Sequence, residues 1–113
     1  MLHATLSSEK WNTFPLIEQL ANIGSEVERS IKWREKNYDY MILAVYRALE
    51  LIDLTLHDPK NMGGLKEIAR IREFIIDYFL GTNIYGSSDV FWQKYFMVYT
   101  RATAQRKTFL LQA

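Results

Sequence analysis

Cysteine is absent from the 113-residue chain. Its absence excludes disulfides, thiolate metal sites and cysteine nucleophiles, and it leaves no mark of an oxidising compartment. No apolar run approaches the roughly 18 residues of a membrane span. The opening MLHATLSSEKW lacks the apolar centre of a signal peptide. A cytoplasmic protein with no membrane partner is the corresponding expectation. An excess of one charge is lacking too. With 14 basic against 13 acidic side chains, no overall field points to nucleic acid or a membrane surface. Motifs with specific mechanics are also missing: there is no GxxxxGK phosphate loop, no GxSxG elbow and no HExxH helix. The expectation is a protein without cofactor or metal.

What remains is ordinary globular material, 49% hydrophobic and 24% charged, enough to fold and to bury one core without staples. Residues 1–113 are expected to form one domain, with 1–12 a flexible or loosely packed N-terminal segment. The near-zero net charge hides a gradient. After Asp89 there is no acid, while Lys94, Arg101, Arg106 and Lys107 follow.

Turn signals cut the chain into four pieces. Pro59 and the Gly63-Gly64 pair mark one break. Gly81 marks a helix stop, and Ser87 or Ser88 supplies the next N-cap. Asn37 and Asp39 mark a shorter break, and Thr13 before Phe14-Pro15 reads as an N-cap. Gly63-Gly64 ahead of a helix reads as a plain turn rather than an anion site. The fold expected is all-α, an antiparallel four-helix bundle with helices at about 14–36, 38–57, 64–80 and 88–110. Leu16, Leu20, Ile23, Val27, Ile31 and Arg34 form the seam of the first helix. Ile68, Ile71, Ile75, Tyr78 and Phe79 form that of the third. Phe91, Trp92, Tyr95, Phe96, Val98, Tyr99, Ala102 and Phe109 give the fourth a broad apolar arc.

The second helix carries a polar stripe. Asp39, Tyr46, Glu50, Asp53 and His57 fall at spacings that share one face. Three readings compete for it: a solvated strip, a carboxylate–histidine metal site, or an ion pair. Bundle metal sites use a Glu-x-x-His pair on each of two helices. Here the acids read Glu50-x-x-Asp53, and the second histidine of the chain, His3, lies near the terminus. The ion-pair reading starts from Arg72, which falls inside the apolar arc of the third helix among Leu65, Ile68, Ile76 and Phe79. An unpaired guanidinium is too costly to bury. Arg72 is therefore expected to meet Glu50 or Asp53 in a buried or half-buried pair that sets helix register.

Two further surfaces stand out. Asn22, Glu26, Arg29 and Trp33 share a polar face of the first helix, an interaction face if Trp33 does not lean on a neighbouring loop. Lys94, Arg101 and Arg106 lie among aromatics on the fourth helix, where they could contact nucleic acid, although core spacing of the aromatics disfavours that partner.

The phrases IEQLANIGSEVERSI (17–31), YRALELIDLTLHDPKN (46–61) and REFIIDYFLGTNIYGSSDVFWQKYF (72–96) resemble a family of short prokaryotic proteins, many of them archaeal. The resemblance covers most of the chain; it implies one small helical domain and no particular activity. A looser likeness is to HEPN-type helical bundles, which partner nucleotidyltransferases or act as RNases in toxin systems. Those RNases place a histidine a few residues after an arginine on a late helix; Arg101-Ala-Thr-Ala-Gln-Arg106 has the spacing and ends in arginine. A MazG-like, metal-dependent nucleotide hydrolase would want a Glu-x-x-Glu pair ahead of Glu50-x-x-Asp53, whereas the first helix offers Glu26-Val-Glu28. The expectation is accordingly a non-catalytic binding or adaptor protein. Self-association follows from 14% aromatics with Trp11, Trp33 and Trp92, a large apolar surface for a small core.

Overall fold

The structure, a computed structural model, describes residues 7–112. It is all-helical among these residues. The order is α1 (Ser8–Asn12), α2 (Leu16–Arg34), α3 (Tyr38–His57), a 3-10 turn (Pro59–Gly64), α4 (Leu65–Leu80) and α5 (Asp89–Gln112). The four long helices begin and end within about two residues of the positions that periodicity and caps predict.

The N-terminal segment is described from Ser7. Residues 1–6, His3 among them, lie outside the described residues. From Ser7 onward the chain is ordered into the fold: Ser7 Oγ caps α1 by accepting from Lys10 N at 3.2 Å. Trp11 is driven into the core with 2% of its surface exposed. Thr13 closes this helix, its hydroxyl donating to Lys10 O at 2.6 Å. It is therefore not the cap of α2, which starts from Pro15 with no side-chain cap. The ring fixes φ at −64°, and Pro15 O accepts from Glu18 and Gln19.

The remaining boundaries follow their signals. Asn37 Oδ1 accepts from Tyr40 N at 3.1 Å to start α3, and Ser88 Oγ accepts from Phe91 N at 3.1 Å to start α5. Gly81 ends α4. The loop beyond it folds back onto Asp77, whose carboxylate accepts from Ile84 N at 2.8 Å and Tyr85 N at 3.0 Å. Within that loop Asn83 takes φ 57°, a left-handed conformation that asparagine tolerates.

α2 packs against both α3 and α5, and α3 packs against α4. Ile23, Val45, Ile52 and Ile75 are fully buried between them. The buried side of α3 carries Met41, Ala44, Val45, Ala48, Leu51, Ile52 and Thr55. Ala44, Ala48 and Leu51 are inside, while Tyr38 at its first turn is 63% exposed. α2 and α5 approach closely at Gly24, where a Cβ would lie 2.6 Å from Phe96 Cβ, so any larger residue forces α5 to shift.

α5 outruns the rest. Thr103, whose hydroxyl donates to Ile17 O at 3.3 Å, is its last buried residue, because α2 begins only one residue before Ile17. Beyond it Phe109 is 69% and Leu111 88% exposed, and the molecule measures 45 × 27 × 26 Å. Val98 and Phe109, assigned to the core by spacing, are on the surface for this reason and because α5 is covered on one side only. Among the described residues no helix is long and apolar enough to cross a membrane.

Candidate functional site

The stripe on α3 does not converge on a ligand. Tyr46 and His57 are exposed, Glu50 and Asp53 are partly buried, and His57 Nδ1 is engaged 2.7 Å from Asp53 O on its own helix. Among the described residues no group of three histidine or carboxylate side chains is placed to hold a metal. Arg72 crosses from α4 to set Nε 2.9 Å from Asp53 Oδ1. The pair is half-exposed, with side chains 36% and 48% accessible, so the buried form of the expectation is corrected. It sits at the rim of the α3–α4 seam, where the long arginine stem packs and the head reaches water.

Two polar clusters join different helices, which no single-helix pattern shows. One is buried where α1, α2, α3 and the 3-10 turn meet. Gln19 Nε2 donates to Asp58 Oδ2 at 2.8 Å and to Trp11 O at 3.1 Å. Asn61 Nδ2 donates to Gln19 Oε1 and to Thr55 O, both at 2.9 Å. Trp11 Nε1 donates to Thr55 Oγ1 at 3.1 Å. Lys60 closes the cluster, its backbone N–H donating to Asp58 Oδ1 at 3.1 Å and its ammonium pairing with Asp58 Oδ2. With its amide turned so that nitrogen faces the carboxylate, Asn12 adds a bond at 3.3 Å. Burial alone pushes the Asp58 carboxyl up. Hydrogen bonds from the Lys60 ammonium, the Gln19 amide and the Lys60 backbone, with the Lys60 charge, outweigh burial and hold it below the usual aspartate range. The buried Gln19, Asn61 and Trp11 donors each answer an acceptor within the cluster, while the Lys60 side chain reaches solvent. This is a clamp between elements rather than a reactive site.

The second cluster joins the C-terminus of α2 to the start of α5. Arg34 Nη2 donates to both Asp89 oxygens at 2.8 and 2.7 Å, and Tyr78 OH donates to Asp89 Oδ1 at 2.5 Å. The guanidinium lies 5.2 Å from the centre of the Tyr78 ring. Burial opposes both charges, but the shared hydrogen bonds keep Arg34 above and Asp89 below their ordinary values. Tyr78 is raised, first by burial and then by the bond it donates.

The expected interaction face is split. Asn22 bonds back to Glu18 O at 2.9 Å on its own helix. Glu26 pairs with Arg29 at 3.4 Å, and Trp33 packs edge-on against Tyr40 of α3, ring centres 4.9 Å apart. Arg29 and Trp33 do line something larger. Alongside the Gly24–Phe96 contact, α2 and α5 leave a groove of about 660 Å³ whose accessible apolar lining is Met97, 40% exposed, with the partly buried Ile31 and Trp33, over the buried Val27, Trp92 and Phe96. Lys32 and Lys36 extend its rim. A narrower groove of about 370 Å³ separates α4 from α5, where Phe74, Phe91 and Tyr95 face Lys66 and Arg70. Tyr95 is desolvated there and its hydroxyl is raised well above the usual tyrosine range, by burial first and then by Tyr99 and Glu67. On the outer side of α5, Lys94 and Arg101 border a shallow depression with Met97 and Val98. Arg106 stands exposed on the overhang, past the end of the core.

Comparison with protein-family models, with curated proteins and with solved structures finds no match to this chain.

Proposed function

We propose that the protein is a non-catalytic binding module, an antiparallel bundle of four long helices with α1 as a plug, that takes a partner into the groove between α2 and α5. The observation that carries the reading is that groove. At about 660 Å³ it lies within the range of real binding clefts, and an apolar floor is combined with a few charged groups at its edge. Outside the groove Asp53, Asp58 and Asp89 are each taken up by a neighbouring cation, which supports binding over chemistry at those carboxylates. A cytoplasmic setting belongs to the same proposal.

The test is partner capture from the native cell with the wild-type chain and with Met97→Arg, a change at a 40% exposed position that fills the groove and spares the core. A protein retained by the wild type and lost by the folded variant supports the reading. Equal retention, or no retained partner at all, counts against it.

Self-association is a second reading, supported by the α5 overhang, where Phe109, Leu110 and Leu111 are 69%, 54% and 88% exposed. The tryptophan argument for it is weaker than the composition suggested, because Trp11 and Trp92 are each only 2% exposed. Sedimentation at tens of micromolar separates the cases. A dimer that Phe109→Ser with Leu111→Ser dissolves is expected, and a monomeric wild type ends the idea.

A further inference from the structure

We infer that the α2–α5 groove takes an acidic amphipathic helix, an inference that rests on the binding-module reading and adds the partner's chemistry. Charge comes first. Arg29, Lys32 and Lys36 line the groove against a single acid, Glu28, among its described lining residues. Arg29 is partly neutralised by Glu26 at 3.4 Å, whereas Lys32 and Lys36 enter none of the ion pairs found among the described residues and are exposed. The rim is therefore a cationic ledge of surplus charge beside an apolar floor, complementary to an apolar stripe flanked by carboxylates.

Shape selects a helix within the anionic class. On α2 the groove's lining begins at Gly24 and runs along the helix toward its end at Arg34, with Lys36 just beyond. That is a rise of about 15 Å, nearly three helical turns. Being open along this length, the groove would bury one face of an occupant and leave the other in water, as an amphipathic helix requires and a small enclosed ligand does not.

Single-stranded nucleic acid, the other anionic polymer, needs aromatic faces on which bases stack. The floor does not present them. Trp92 and Phe96 stack on each other at 5.9 Å with 2% and 4% exposure, and Trp33 is held edge-on by Tyr40. Bases would find almost no accessible ring on Trp92 or Phe96, and beside them the methionine Met97 at 40% exposure.

The experiment uses a fluorescein-labelled synthetic peptide of about four turns, with leucines at helical spacing and glutamates elsewhere. Its controls are the same peptide with lysine for every glutamate, and a labelled oligouridine. Anisotropy gives affinity, and amide shifts of the full chain report the site. The expected result is binding of the acidic peptide that weakens with salt, shifts in α2 and α5, and a loss of about tenfold or more in Lys32→Glu/Lys36→Glu, as befits two reversed rim charges. Both positions are exposed, so the variant should keep its fold, which its amide spectrum verifies. Equal binding of both peptides, lost in Met97→Arg, would overturn the charge argument while leaving the groove a binding site. Oligouridine binding without peptide binding would overturn the helix in favour of nucleic acid. No shift in α2 or α5 with any probe would overturn the inference outright, and the partner-capture result then decides separately whether the module reading survives.

Discussion

Replacing Asp58 with asparagine exchanges one carboxylate oxygen for an NH2 group and tests the buried clamp directly. The carboxylate is 3% exposed and accepts from Gln19 Nε2 at 2.8 Å, from Lys60 N at 3.1 Å and from the Lys60 ammonium. An amide has one acceptor oxygen. Turned toward Gln19, its oxygen keeps that bond and its nitrogen confronts the Lys60 backbone N–H; turned the other way, its nitrogen confronts the Gln19 amide. Either orientation loses a hydrogen bond to a charged group, roughly 1.5–3 kcal/mol, and strands a buried donor at a further ~1 kcal/mol or more. Relief of the carboxylate's desolvation offsets part of this, so Asp58→Asn should destabilise by about 2–3 kcal/mol, a large share of the roughly 5–15 kcal/mol that holds a domain together. Urea unfolding followed by tryptophan fluorescence measures it. The midpoint should fall with the slope unchanged. A Gln19→Met cycle should show that the two losses are not additive, by at least about 0.5 kcal/mol. Because the native carboxyl is held below its unfolded value, its contribution is complete above about pH 5 and is lost as pH falls through and below about 3.9. The variant should lack that part of the acid sensitivity. A loss within about 0.5 kcal/mol at neutral pH, the range of surface sites, would refute the clamp.

Gly24→Ala should cost about 1–3 kcal/mol by overpacking, despite the ~0.5–1 kcal/mol that alanine adds to a helix interior, since the new Cβ meets Phe96 Cβ at 2.6 Å. A thermal melt at or above wild type would show that α5 can shift aside. Arg72→Met should lose at most about 1 kcal/mol, and less at high salt, because its pair with Asp53 is half-exposed; denaturation at two ionic strengths checks both points. Tyr95, raised by burial in the α4–α5 groove, stays protonated in the fold where an unfolded tyrosine ionises. Its contribution is present below about pH 10 and lost as pH climbs through the raised value. Alkaline unfolding should therefore be shallower in Tyr95→Phe, and a difference titration showing an ordinary tyrosine in its place would contradict this.

The element boundaries were legible because each is written locally: Asn37, Gly81 and Ser88 cap what they sit beside. Thr13 was misread because two helices compete for it, and α1 is too short for periodicity to register. The extent of the core on α5 was overestimated for a different reason. Spacing gives the face of a helix, whereas burial also needs a neighbour long enough to cover it, and α2 begins at Leu16, level with Thr103. The groove was half visible. Arg29 and Trp33 were grouped on one face of α2, but the floor comes from Trp92 and Phe96 on α5, about 60 residues away, and no single-helix wheel contains both.

Arg72 drew attention as a polar residue inside an apolar arc, and the same test applies to three residues that escaped it. Gln19 lies on the seam of α2, three residues after Leu16 and four before Ile23; Thr55 sits beside Ile52 and Leu56 on α3; Arg34 follows Ile31 at the seam's end. Their outcomes differ with position along the seam. Gln19 and Thr55, both 0% exposed, fall where four elements converge, so each is satisfied by backbone and side chains from the others. Arg34 falls where α2 stops, and the N-terminal turn of α5 brings Asp89 to it with both oxygens. Arg72 falls at the rim and shares its partner with water. The cost of burying an unpaired polar group therefore makes such a residue a predictor of contact, and its place on the seam decides the kind. A central one implies a closed network and a terminal one a cap between helices, while an edge residue implies a pair of little energetic weight. Applied to Asp58, which follows the last turn of α3, the rule asks which buried donor precedes it, and Gln19 answers.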